Sequence, residues 1–169
     1  MLADVGLVGR PNAGKSTLLS RVSHARPKIA DYPFTTTEPH LGIVACGKNA
    51  SFVMADIPGL IEDSHKGKGL GIRFLRHIER TRVLAILIDS STDDPKAEAE
   101  ILLNELAQYS EALVEKPKCF ILTKNDLIAP DAPQTVPEGW LSISSVTGNG
   151  VDDAVNTLGR LVEENRREI

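Results

Sequence analysis

Apolar residues fall in short runs, 3–8, 41–46, 51–55, 83–88, 118–122 and 140–143, bordered by Gly, Pro, Asp or Ser. Runs of this length and bordering read as strands. Between them the period lengthens to that of a helix. Ala99, Leu102, Leu103, Leu106 and Leu113 recur at helical spacing, as do Val151, Ala154, Val155, Leu158 and Leu161, and residues 15–22 read as a helix after a glycine-rich turn. Each of the two stripes can lie on a sheet. Asp94 followed by Pro95 predicts a helix start, with the aspartate as cap and the proline in the first helical position. Six strands alternating with helices predict an α/β fold: a mostly parallel six-stranded sheet covered on both faces. The short link 47–50 predicts a hairpin, and hence one antiparallel edge strand. Residues 26–40, 58–71 and 129–139 are predicted loops, long for a domain and of the kind that carries function. The chain has no internal repeat and no low-complexity tract.

The length of 169 residues is that of one domain, and 41% hydrophobic residues suffice for a core. The longest apolar run, 83–88, is far too short for a membrane span. No secretory leader is expected. Cys46 and Cys119 lack metal-ligand spacing, so they read as reduced core thiols of a cytoplasmic protein. The net charge of −4 argues against a general polyanion binder, yet it averages two unlike halves. Residues 1–88 carry 12 basic and 7 acidic side chains, and residues 89–169 carry 7 and 16.

Directly after the first strand stands Gly9-Arg10-Pro11-Asn12-Ala13-Gly14-Lys15-Ser16, followed by Thr17. It fits G-x-x-x-x-G-K-[ST] in the strand-then-helix context that this motif requires. Glycines let backbone N–H groups turn toward phosphate oxygens, and the helix N-terminus adds positive potential. Lys15 is placed to reach the terminal phosphates and Ser16 to ligate Mg2+. A nucleoside polyphosphate is the expected ligand.

Three further elements choose among nucleotides. Asp56-Ile57-Pro58-Gly59 ends a strand; there Asp56 can hold Mg2+ through water, and the Gly59 amide can sense a γ-phosphate. Thr123-Lys124-Asn125-Asp126 ends the fifth strand. Lys124 can lie along a purine, and Asp126 can accept hydrogen bonds from guanine N1 and N2, donors that adenine lacks. An unpaired buried carboxylate is costly, which sets Asp126 against ATP. Ser144-Ser145-Val146 follows the sixth strand and can present a backbone N–H to guanine O6. The order and spacing of these elements predict a GTP-binding domain. Asp126 argues against an ATPase, and the lack of an arginine-rich lid argues against a nucleotide kinase. No histidine has a ligand-spaced partner, and no serine sits in a nucleophile elbow.

The run 30–37 (ADYPFTTT), residues 56–62, and Gly69-Leu70-Gly71 with residues 74–81 resemble the Obg (CgtA) family of GTPases over nearly the whole chain. The resemblance implies a ribosome-associated GTPase acting in large-subunit assembly and stress signalling. In this reading GTP is hydrolysed to GDP, and the resemblance also implies guanosine tetraphosphate as a further ligand. Thr36 is implied as the first switch threonine, contacting Mg2+ and the γ-phosphate, within a nucleotide-contacting run of Phe34, Thr35, Thr36, Thr37 and Glu38. Phe34 and Tyr32 are either covers for the nucleotide or packing residues. Family members also carry a glycine-rich N-terminal domain and commonly a C-terminal extension. The chain is therefore expected to be an isolated G domain, and a monomer.

One departure from the class, and a contrast with small signalling GTPases, bear on chemistry. The base motif starts with Thr123 where the class has asparagine, so it ties the phosphate loop to the base loop with fewer bonds. Leu60 stands where small signalling GTPases place the glutamine that orients water, and Pro11 and Asn12 replace the small residues that admit an arginine finger. Slow hydrolysis is expected, with Lys15, Thr36 and Gly59 as the catalytic set. The alternative is a binding module with negligible hydrolysis. Asn12 has two readings: in similar GTPases an asparagine here ligates K+, and an asparagine can equally serve as a turn residue bonding its own backbone. Finally, Lys66, Lys68, Arg73, Arg76, Arg80 and Arg82 against Glu79 make a basic stretch on the second switch. It reads either as a solvated helix face or as a surface for ribosomal RNA or protein.

Overall fold

The computed structural model describes residues 3–29, 39–56, 80–129 and 136–166. All six expected strands are present: β1 (Ala3–Val8), β3 (His40–Ala45), β4 (Ser51–Asp56), β5 (Thr81–Asp89), β6 (Lys118–Thr123) and β7 (Leu141–Ser142). A two-residue strand, β2 (Lys28–Ile29), is added inside the first predicted loop. The sheet order is β2-β3-β4-β1-β5-β6-β7. β3 pairs antiparallel with β4, as the short 47–50 link requires, and β2 pairs antiparallel outside it. The reversed strand is thus flanked on both sides, and the remaining ladders are parallel.

Parallel ladders need covering on both faces, which is why the central strands are continuous apolar runs rather than alternating ones. All six residues of β1 are buried, and so are residues 83–88 of β5. One face of the sheet, with Val5, Leu7, Phe52, Met54 and Leu87, packs on helix α1 (Lys15–Val22). The C-terminal helix α4 (Val151–Arg166) joins the same core through Ala154, Leu158 and Val162. The other face, with Val8, Ala55, Leu84, Ile86 and Ile88, meets α2 (Pro95–Tyr109) through Ala99, Leu102 and Leu106. Asp94 caps α2 as expected, accepting from the Ala97 amide at 3.1 Å. The stripe that runs on to Leu113 is broken: Ser110 is extended, and Leu113 joins the core from a separate short helix, α3 (Glu111–Glu115). Trp140 stacks on Phe120 with ring centroids 4.9 Å apart. Of the two thiols, Cys119 is buried and burial pushes it up to about 11, whereas Cys46 is only half-buried. No helix among the described residues is long and apolar enough to cross a membrane.

At the N-terminal ends of the strands Asp4 gathers four elements. Its Oδ2 accepts from the Val53 amide (2.9 Å) and Arg166 Nη2 (3.2 Å), and its Oδ1 from Arg82 Nε (3.3 Å). Arg82 also reaches the Asn165 carbonyl at 3.5 Å. The basic stretch places Arg82 on the second-switch surface; it is instead a strand residue committed to this internal network, because its position in β5 points it at Asp4. Removing one partner of a largely buried charge cluster typically costs about 3–5 kcal/mol. Since Arg166 is partly hydrated, Asp4→Ala is expected to lower stability by about 3 kcal/mol in urea unfolding. A loss within experimental error would show that water already satisfies the cluster.

Candidate functional site

The C-terminal ends of β1, β4, β5 and β6 open on one side of the sheet, where ligands of open α/β folds bind. Gly9 follows β1, and Asp56, Asp89 and Thr123 are the last residues of β4, β5 and β6. A side chain at Gly9 would bring its Cβ to 2.9 Å from the Leu87 carbonyl oxygen, so only glycine lets the loop leave the sheet there. Asn12 (φ 64°) and Gly14 (φ 101°) then turn the backbone left-handed, folding the loop back onto α1. The first four amides of a helix have no partner within it. Here Gly14, Lys15, Ser16 and Thr17 line a cavity of about 290 Å³ together with Arg10, Pro11, Asn12, Ala13, Asp56 and Lys124. The loop's lysine bends back over it, with Lys15 Nζ donating to the Gly9 carbonyl at 2.9 Å.

Ser16 and Asp56 therefore face the same space from α1 and β4, a hydroxyl and a buried carboxylate. An oxygen-only donor pair of this kind suits a hard cation such as Mg2+.

The base loop is braced against the phosphate loop. Thr123 is buried, and its Oγ1 donates to the Ala13 carbonyl at 2.6 Å. The single hydroxyl thus makes the link for which the class uses a carboxamide. Lys124 is itself left-handed (φ 62°), and its ammonium bonds the Asn12 carbonyl and, at 3.0 Å, Asp89 Oδ2. Asn125 is fixed by its amide to the Ile143 carbonyl (3.0 Å) and by its Nδ2 to Ser142 Oγ (3.2 Å) and Asn149 Oδ1 (3.1 Å). Asp126 is thereby turned outward into solvent, and its Oδ1 accepts from the buried Ser144 Oγ at 2.8 Å.

Ser144 does more than its sequence context indicates. Its amide is taken by the Asn149 carbonyl (2.9 Å) and its hydroxyl also accepts from the Thr147 amide (3.0 Å). The turn is closed by Gly148 N–H to the Ser144 carbonyl at 2.8 Å. The edge left to meet a base oxygen is that of Ser145 and Val146, and Val146 stands exposed there. Arg21 of α1 supports this edge, with Nη1 3.5 Å from the Val146 carbonyl.

Sequence reasoning missed Asp89 and Glu98. Asp89 ends a strand just as Asp56 does, and that shared position was the available signal. Burial alone would raise its pKa, but the Ser91 amide and hydroxyl and the Lys124 ammonium hold it below the ordinary carboxylate value. Glu98, in the first turn of α2, pairs with Arg10 of the phosphate loop. Arg80 is described and exposed. Tyr32, Phe34, Thr35, Thr36, Thr37, Glu38, Ile57, Pro58, Gly59, Leu60 and the basic residues Lys66, Lys68, Arg73 and Arg76 lie outside the described residues.

Residues 4–124 match a family described as 50S ribosome-binding GTPase. The chain is 54% identical to the GTPase Obg of Chloroherpeton thalassium, covering 99% of this chain and 52% of that one. It is also 54% identical to the GTPase Obg of Phocaeicola vulgatus, covering 94% and 42%. The chain belongs to the Obg family of GTPases. It spans about half the length of these curated relatives and corresponds to the G domain of the family. Solved structures agree in fold. A point variant of Aquifex aeolicus Era bound to GDP and AlF4− superposes with a TM-score of 0.70 at 24% identity, covering 94% of this chain and 56% of that one. The G domain of the T. maritima FeoB iron transporter gives 0.67 at 21% identity, covering 96% and 97%.

Proposed function

We propose that this Obg-type domain binds GTP with Mg2+, hydrolyses it slowly to GDP and phosphate, and serves a switch that acts on the ribosomal large subunit during its assembly and under stress. The observation that carries the base and phosphate reading is the junction of the two loops: Thr123 on Ala13, Lys124 on Asn12 at the wall of the phosphate cavity, and Asp126, two residues further on, oriented by Ser144. The β- and γ-phosphates lie against the amides of Gly14 to Thr17, with Lys15 as their cation. Asp126 takes guanine N1–H and N2–H, and the Ser145–Val146 edge donates to O6. Ser16 and Thr36 would ligate the Mg2+ and Asp56 would hold it through water; the ion would supply charge neutralisation at the phosphates. Thr36 and Gly59 complete the proposed catalytic set beside Lys15. Guanosine tetraphosphate shares the guanine and diphosphate that this site recognises. The ribosomal role rests on the family description and on the basic residues near the second switch, now without Arg82.

Asn12 keeps both of its roles. Its left-handed backbone is one that asparagine tolerates better than most residues, which supports the turn reading. Its place on the rim of the cavity supports the K+ reading.

The test is multiple-turnover phosphate release from GTP and from ATP, in K+ and in Na+, with and without large ribosomal subunits. Slow turnover of GTP alone, accelerated by the subunits, is the expected result. Equal turnover of ATP would overturn the guanine reading, and GTP binding without turnover would reduce the domain to a binding module. Indifference to the subunits would remove the ribosomal role.

A further inference from the structure

We propose that the segment 89–98 is a two-point clamp on the nucleotide site, in which Asp89 and Glu98 are positioning residues that set how fast guanine nucleotide leaves. The inference rests on the GTP-binding reading above and adds an element outside the four nucleotide motifs. One grip is Asp89, the last residue of β5. Its Oδ1 accepts from the Ser91 amide (2.9 Å) and hydroxyl (2.8 Å), which fixes the carboxylate and aims Oδ2 at Lys124 Nζ, 3.0 Å away. The same ammonium is bonded to the Asn12 carbonyl. The Lys124 ammonium thus bridges the phosphate loop and the β5 end. A lysine in left-handed backbone is sterically disfavoured. Here it is held by the paired ammonium together with the Leu127 amide on the Lys124 carbonyl at 3.0 Å.

The second grip is Glu98, which binds the Arg10 guanidinium and ties the front of the phosphate loop to α2. Between the grips the segment is stiff. Thr92 N–H closes a turn on the Asp89 carbonyl (3.1 Å), and Asp94 caps the helix that carries Glu98. Beside it lies a second cavity of about 120 Å³, walled by Pro11, Asn12, Leu87, Thr92 and Leu102 and lined by the Arg10–Glu98 pair and by Asp89. The phosphate loop therefore meets open space here rather than packed side chains, and the Arg10–Glu98 pair at its edge ties the loop to α2. Among the described residues these pairs are the side-chain polar links from 89–98 to residues 10–13 and 124. A displacement of 89–98 would release Lys124 and Arg10 together, loosening the base and phosphate ends of the site at once. A protein partner that speeds nucleotide exchange would find its lever in this segment.

The experiment is a stopped-flow chase of mant-GDP from the wild type and from Asp89→Asn, Glu98→Gln, Arg10→Met, the double variant Asp89→Asn/Glu98→Gln and the double variant Arg10→Met/Glu98→Gln. Partly exposed ion pairs of this kind correspond to about two- to five-fold in dissociation rate each. The two grips should multiply in Asp89→Asn/Glu98→Gln, because the pairs share no partner. Arg10→Met/Glu98→Gln should be no faster than the faster of its two single variants, because both substitutions remove one pair. Thermal melts should stay at the wild-type midpoint, and raising the salt should accelerate release from the wild type more than from the Asp89→Asn/Glu98→Gln variant, since screening then has less left to weaken. Release rates indistinguishable from wild type, or rates that track a lowered melting midpoint, would overturn the clamp while leaving the GTP reading intact. A wild-type domain that fails to bind mant-GDP would overturn both.

Discussion

Asp126→Asn is expected to lose about 10²- to 10⁴-fold in affinity for GTP and to gain affinity for xanthosine triphosphate. The carboxylate is acceptor-only, and guanine offers it two donors, N1–H and the N2 amine. Hydrogen bonds to a charged group are worth about 1.5–3 kcal/mol each, and two of them span that range of affinity. The carboxylate needs little reorganisation on binding. Ser144 Oγ holds Oδ1 at 2.8 Å, while Asn125 is pinned to Ile143, Ser142 and Asn149. The carboxamide of asparagine keeps one acceptor but turns a donor toward the guanine amine. Xanthine carries a carbonyl oxygen at that ring position and accepts from it. Titration of the wild type and the variant with fluorescent GTP, xanthosine triphosphate and ATP analogues checks this. An undiminished affinity for GTP would show that Asp126 does not read the base.

Lys15→Ala is expected to lower GTP turnover by about 10²- to 10³-fold, the usual cost of removing one preorganised electrostatic contact to a transition state. The side chain is half-buried, and its ammonium donates to the Gly9 carbonyl at 2.9 Å across the top of the phosphate loop. Charge that develops on the transferring phosphoryl oxygens then meets a cation already in position, while the amides of Gly14 to Thr17 supply the remaining donors. Because the loop's shape depends on Gly9, Asn12 and Gly14 rather than on the lysine, the alanine variant should fold and melt like the wild type. Single-turnover phosphate release beside a thermal melt separates the two effects. Turnover near the wild-type rate would remove Lys15 from the catalytic set.

Much of the site was legible from the chain because its motifs depend on local backbone. Gly9 to Ser16 must turn left-handed between a strand and a helix, and that requirement selects glycine and asparagine at Gly14 and Asn12 whatever the remainder of the fold does. Asp56 and Asp126 were legible because each follows directly on an apolar strand or its end motif. Arg82 was misplaced for the opposite reason. A run of basic residues reads as a surface until the strand register turns one of them inward onto Asp4. The sequence context of Ser144 points to its backbone, yet its hydroxyl orients Asp126 across 18 residues of sequence. No local pattern distinguishes a serine that faces a carboxylate from one that faces water. The break at Ser110 was hidden too, since Leu113 keeps a helical spacing from Leu106 while belonging to another helix.

By itself the sequence determined the α/β architecture, the phosphate loop, the guanine motif and the Obg resemblance. Hydrophobic periodicity and left-handed turns are properties of neighbouring residues, and they survive reading in one dimension. Tertiary structure alone decided which side chains hold those motifs in place. Thr123 reaching Ala13, Asp89 reaching Lys124 and Glu98 reaching Arg10 join residues 110, 35 and 88 positions apart. Such pairings depend on which strand ends lie side by side in the order β4-β1-β5-β6. That order follows from how crossover helices pack their apolar stripes on the two faces of the sheet, and it is set by the whole chain at once.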